Sequence, residues 1–461
     1  MLLPVLVLAI VASRVPLLTS GQFDYDEGVY WVSLRSLHAG NPIFISVFSS
    51  QPPAFLLLVE PAWAALGGSI AVARAVMLVF GIGAVISGSL LGRRLLGSGG
   101  AVALAALIAV DPLMLRQSLV LQAEGPAVCM ALLSLSLASV SVTTHRGRIA
   151  DIAAVASGAA IAIGILTKLF DVAAVPPLAV LLLLHSHPIR RGLLLGAGAV
   201  VAAALFLMPL HEAWGSMWQQ VIALHVASRS LAYGQVSDPF IAFAQRELPL
   251  LGLALVGAAV GWRHHRTVVL VGLAWLAGTI VTMSVTHPLW PRHQVLMVPG
   301  ACLLAAVGVQ RVAGWLDKLR RGAGSVAVAI LGAAAAAGVL LVGAAILQPA
   351  RGVDPIIAVL QSRTAPGDLV LSDDQFATAA AGRSAPPEYV DTSFVRLAAS
   401  GVTTADLAGN LDRQHVCAVV LATGRLAGVP GFSEWLRAHY TEVADLGGGR
   451  RVYIRPGCGA A

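Results

Sequence analysis

Charge is scarce in this sequence. Only 11% of the 461 residues are Asp, Glu, Lys or Arg, while 57% are hydrophobic. A water-soluble chain of this length needs far more polar surface, so a single soluble globule is excluded. Cysteine is nearly absent: Cys129 and Cys302 sit in apolar runs, and Cys417 and Cys458 lie near the C-terminus without CxxC spacing. That pattern gives no metal site. Also missing are GxxxxGK[ST], HExxH, GxSxG and any Gly-rich phosphate loop after a strand, which disfavours nucleotide hydrolysis and the common hydrolases.

What is present is length of apolar run. Residues 70–91, 193–210 and 323–348 are near or above the roughly 18–20 residues that cross a bilayer as helix. Strand-like alternation is absent from this part, and lipid forces the backbone to satisfy itself, so the spans are read as helices. Eleven are expected, at about 1–19, 70–91, 99–116, 119–141, 151–167, 172–185, 193–210, 249–262, 267–286, 294–312 and 323–348. The first lacks a basic leading segment and a small-x-small cleavage site, and is read as a signal anchor.

Orientation follows from the arginines. With a cytoplasmic N-terminus, alternate short loops carry Arg93, Arg94, Arg146, Arg148, Arg190, Arg191, Arg263, Arg266, Arg311, Lys318, Arg320 and Arg321. Nearly all acidic residues of the apolar part fall on the other face. The net charge of +7 therefore reflects topology, and no nucleic-acid partner is implied. Two outer loops are long, 20–69 and 211–248, the second with Trp214, Trp218, His225, Arg229, Tyr233 and Asp238. From about Arg351 the composition turns soluble. There DLVLSDD, HVCAVVLATG and RRVYIRP read as strands and FSEWLRAHY as a helix. The expected division is a transmembrane part, 1–349, and a small extracytoplasmic α/β domain, 350–461. Cys417 opens one of these strands and Cys458 follows another; a disulfide between them is compatible with the sequence but not fixed by it.

Few residues carry candidate chemistry. Asp24 is placed to N-cap a helix running to about Ala39, with Glu27 at the reciprocal capping position. That leaves Asp26 without a structural reason, in the first turn at the bilayer surface. Glu124 lies about one turn inside the fourth span, where an ionisable group costs roughly 2–3 kcal/mol and marks function by default; its bland alternative is pairing with Arg116. Lys168 is a cation on the outer face, against the topological trend, with Asp171 a possible partner. Arg292 and His293 pose the same question before the tenth span. An outer Arg and Lys suit a phosphate or diphosphate headgroup.

In order along the chain come Tyr25-Asp26-Glu27, the loop Gln51-Pro52-Pro53, a span ending in GRRLLG, Glu124, and Leu166-Thr167-Lys168. This order resembles the GT-C superfamily of membrane glycosyltransferases, in particular protein O-mannosyltransferases and lipid A aminoarabinose transferases, over most of residues 1–312. The resemblance implies a multi-pass plasma-membrane enzyme. Such an enzyme moves a sugar from a polyprenyl-phosphate carrier, with inversion, to a lipid, glycan or protein acceptor outside the cytoplasm. It implies Asp26 as the catalytic carboxylate with Glu27 beside it, and Gln51, Glu124, Lys168, Arg292 and His293 around the donor phosphate. The family often has Lys where this chain has Gln51, and an Asp where it has Glu124. Some members use a divalent metal and others do not; Asp26 and Glu124 are the pair that would approach one. A flippase of lipid-linked sugars would use Glu124 equally well, and a non-catalytic scaffold would leave Asp26, Glu124 and Lys168 unexplained.

Overall fold

The structure is a computed structural model and describes residues 2–144, 147–184, 187–231, 238–346 and 354–458. Arg146, Tyr233, Arg351 and the 349/350 boundary lie outside the described residues. Each of the eleven apolar stretches holds a helix. Among the described residues, however, only seven helices are long and apolar enough to cross a membrane alone, or eight if the pair Asp238–Arg246 and Leu248–Gly261, bent by 84°, makes one span. The expected eleven also required the shorter apolar helices Leu2–Leu17 and Leu169–Leu183. It further required a division of the long segment Ile70–Val110, which does turn at Gly97, with φ 81°. Only glycine takes that backbone without strain.

These helices present apolar side chains outward. Leu193, Leu205, Leu255 and Leu341 are each at least 70% exposed, which suits hydrocarbon around them rather than water. At one end Asp151 pairs with Arg190 at 2.6 Å and Arg191 at 2.7 Å, gathering two of the arginine loops.

At the other end the segment 20–69 forms an ordered layer. Asp24 caps the helix Tyr25–His38 by accepting from the Asp26 amide, and the helix stops at Ala39. Its buried face packs Tyr30 edge-on to Phe55 of the helix Ala54–Ala65, at 4.7 Å between ring centres. Its other flank meets the C-terminal segment. A Cβ on Gly28 would stand 2.2 Å from the Phe376 amide nitrogen, so only glycine admits the helix Gln375–Ala380 this closely. Trp31 and Phe376 pack edge to face beside it, and Arg35 donates to the Gly382 carbonyl at 3.0 Å.

The C-terminal residues build a four-stranded sheet in the order β1-β2-β4-β3. β1 (Val370–Ser372) runs parallel to β2 (Ala418–Leu421), and β4 (Arg451–Ile454) pairs antiparallel with both β2 and the edge strand β3 (Thr441–Asp445). The three apolar strands match the segments read from sequence. β3 was not foreseen, because TEVAD is a half-exposed edge strand with no continuous apolar run. Phe432–His439 is the expected helix. Cys417 and Cys458 are bonded, joining the start of β2 to the chain after β4; Cys129 and Cys302 are free and buried.

Candidate active site

Where the first outer helix meets the bundle, six charged groups converge. Asp24 accepts from Arg116 at 2.9 Å and lies 3.6 Å from Arg292 Nη1. Asp26 receives Arg292 Nη2 at 2.7 Å. Glu124, 1% exposed, faces Lys168 Nζ at 3.0 Å and Arg292 Nε at 3.4 Å. Arg292 thus stands between the two carboxylates named as a possible metal pair. Among the described residues no group of three or more His, Cys, Asp or Glu is placed to hold a metal ion. A cation arriving between Asp26 and Glu124 would have to displace the guanidinium, so the residues as arranged do not fit one.

Both pairings weighed from sequence come out differently. Arg116 serves Asp24, not Glu124. Lys168 serves Glu124, not Asp171, which is buried with one oxygen lacking a hydrogen-bond partner among the described residues. His293 accepts from the Trp290 amide through Nδ1 at 3.2 Å. This places its proton on Nε2, 3.5 Å from Glu124, and the ring is satisfied while neutral.

Asp26, Gln51, Lys168, Arg292 and His293 line one cavity of about 380 Å³. Its remaining wall is largely apolar, with Val29, Phe170, Val221 and Leu224 among its members. Gln51 enters it with its backbone held by Ser49 Oγ at 3.3 Å. Burial pushes the Asp26 carboxyl up to about 6; Arg292 opposes this, and Asp24 and Glu124 add to it. The charged form of Asp26 is thus held in reach of neutral pH, the range a general base needs.

Glu27 does not join them. It is fully buried against Arg74, which donates to it through Nε at 2.9 Å and Nη2 at 2.8 Å. The same guanidinium reaches the carbonyls of Leu18, Ser20 and Gly21 at 2.7–3.1 Å. Glu27 also accepts from the amides of Phe23 and Leu121. Its capping bond therefore runs to Phe23, one residue beyond the position expected, and its work is to fasten the turn after the first helix. Both its oxygens are spent, and it is not among the residues that line the cavity holding Asp26.

Sequence reasoning passed over Arg74 and Arg425. Arg74 had a signal, a cation in the second turn of the apolar helix Ile70–Val110. Arg425 had none, since it belongs to the C-terminal segment; yet it lines the same cavity and lies 3.7 Å from the Tyr25 ring centre.

Comparison with known proteins adds the family context. Residues 50–214 match the dolichyl-phosphate-mannose-protein mannosyltransferase family. No curated protein sequence matches the chain. Among solved structures, ArnT from Cupriavidus metallidurans bound to undecaprenyl phosphate is similar with a TM-score of 0.70 at 15% identity, over 98% of this chain and 97% of that one. The oligosaccharyltransferase AglB from Archaeoglobus fulgidus, in complex with an inhibitory peptide and a dolichol-phosphate, gives 0.57 at 13% identity, over 99% of this chain and 74% of that one. Over almost its whole length the chain shares the fold of these two structures, and together with the family match over residues 50–214 they bear out the resemblance to the GT-C membrane glycosyltransferases.

Proposed function

We propose that this protein transfers a sugar, with inversion, from a polyprenyl-phosphate carrier to an acceptor hydroxyl or amine on the extracytoplasmic face of a membrane. The observation that carries this reading is the placing of Asp26. One half-buried carboxylate of raised pKa looks into a cavity that is charged at one end and apolar along its flank. An apolar flank suits a prenyl tail, and the solved relatives hold undecaprenyl phosphate and dolichol-phosphate.

The reaction asks little beyond placement. The acceptor oxygen or nitrogen attacks the anomeric carbon as the bond from that carbon to the phosphate oxygen breaks. The electron pair leaves with the phosphate, already a fair leaving group. Asp26 takes the acceptor's proton, for which it must lie about 2.6–3.2 Å away. Arg292, ion-paired with Asp26 and close to Glu124, orients the base, and Lys168 holds Glu124. Both cations and the Gln51 amide face the space where a phosphate would sit. The segment 354–458 forms the outer wall of that space and is suited to select the acceptor. The bilayer concerned is the plasma membrane.

The test is transfer from a labelled polyprenyl-phosphate sugar in membranes holding equal amounts of wild type and Asp26→Asn. Asparagine preserves size and local hydrogen bonding but accepts no proton at working pH. Activity is expected to fall by about 10²–10⁴-fold. Transfer by Asp26→Asn at the wild-type rate would make the aspartate structural and the mechanism wrong.

A further inference from the structure

The six charged groups gathered beside the cavity cancel among themselves, which leaves Arg229 and Arg425 as the lining cations outside that cluster. Asp24, Asp26 and Glu124 are three carboxylates, and Arg116, Lys168 and Arg292 are the three cations paired with them. His293 is satisfied as the neutral ring. The cluster is therefore balanced before any ligand arrives, and a phosphate entering it would bring uncompensated negative charge into a mostly apolar space.

Of these two, Arg229 is exposed at the rim, whereas Arg425 is held in place. It follows β2 in a loop at the carboxyl end of the parallel pair β1 and β2, where open sheets of this kind commonly present ligand-binding loops. The loop is fixed from below by Asp373, itself fully buried. Its carboxylate accepts from the amides of Ala422 at 2.6 Å, Thr423 at 3.1 Å and Leu426 at 3.2 Å. The Arg425 guanidinium stacks over Tyr25, next in sequence to the catalytic candidate, and the Tyr25 hydroxyl is tied to Thr392 at 3.1 Å. Only Nη1 of the guanidinium has described partners: the Thr423 hydroxyl at 3.2 Å and the Asp373 carbonyl at 3.4 Å. No described carboxylate pairs with it. A planar cation held by its face leaves its edge for an oxyanion.

We infer that Arg425 binds a phosphate-class oxyanion of the reacting molecules, so that the C-terminal segment completes the anion site of the transmembrane part. The inference rests on the transfer reading above. The oxyanion belongs either to the lipid donor or to the acceptor, and the test separates them. Full-length protein in detergent is titrated with undecaprenyl phosphate and with undecaprenol, the same tail without charge, and dissociation constants are read from thermal shifts.

Arg425→Ala is expected to weaken undecaprenyl phosphate by about ten- to a hundred-fold, the usual size of a charge-assisted bond. Undecaprenol binding, which also certifies folding, should not change, and Arg425→Lys should recover part of the loss. If the oxyanion is the acceptor's, the lipid constants are unchanged. Inorganic phosphate then binds the lipid-saturated wild type but not lipid-saturated Arg425→Ala. If Arg425→Ala matches the wild type for undecaprenyl phosphate and for inorganic phosphate alike, the assignment is overturned. A wild type that fails to prefer undecaprenyl phosphate over undecaprenol removes the donor reading itself, a result distinct from any behaviour of the variant.

Discussion

At the scale of single residues, the pairs that face the cavity and those that do not obey different demands. On the proposed mechanism Asp26 must be ionised to act, and burial raises its carboxyl from the ordinary 3.8 to about 6. Transfer is therefore expected to be flat above that value and to fall by roughly tenfold per pH unit below it. Since Arg292 favours the charged form, Arg292→Gln should move the acid limb to higher pH as well as weaken turnover. A pH series of kcat/KM in membranes reads both; an acid limb near 4 in the wild type would contradict the burial of Asp26. Glu27 predicts the opposite behaviour. Glu27→Gln strips the charge partner from the fully buried Arg74, a loss of about 3–5 kcal/mol in comparable buried pairs. Less folded protein is expected in the membrane, with normal activity per folded molecule. On the proposed mechanism the adjacent acids divide into one for chemistry and one for architecture. The sequence alone showed two carboxylates in a first helical turn and could not separate them, because Arg74 is remote in sequence from both.

At the scale of elements, what sequence makes visible is what has a period or a cap. The apolar helices, the N-cap at Asp24 and three of the four strands were legible for that reason. The number of spans was less so: a hydropathy run does not reveal whether a helix of 14 residues such as Leu248–Gly261 crosses alone or continues a bent partner. Gly28 was invisible as well. Nothing nearby in the chain marks it, and its meaning lies in Phe376 pressing against it. Gly28→Val should drive the Tyr25–His38 helix and the Gln375–Ala380 helix apart, since valine carries the Cβ that has no room plus two methyls. Limited proteolysis should then release the C-terminal segment faster than in wild type, with the spans still inserted. Equal proteolysis rates would show that other contacts hold the two together.

At the scale of the whole molecule, the arginine loops set an orientation that the fold by itself does not. With the N-terminus in the cytoplasm and the C-terminal segment outside, an alkaline phosphatase fused after residue 461 is expected to be active and a fluorescent protein there dark. The reverse pattern would place Asp26 on the cytoplasmic side and remove the extracytoplasmic acceptor. The Cys417–Cys458 bond is in keeping with an oxidising surrounding for that segment.

Tyr25 and Thr392 touch across 367 residues of chain. A ribosome delivers Asp26 well before the wall opposite it, with the helices of the bundle made in between. A nascent or truncated chain then carries Asp26 at the bilayer surface without Arg425 over Tyr25 or the 393–395 segment beside it. Such a chain holds a carboxylate but no enclosed space in which to use it. On the transfer reading, competence waits until the stretch around 393–425 has been made, and a copy that lacks it has little opportunity to hydrolyse a lipid carrier.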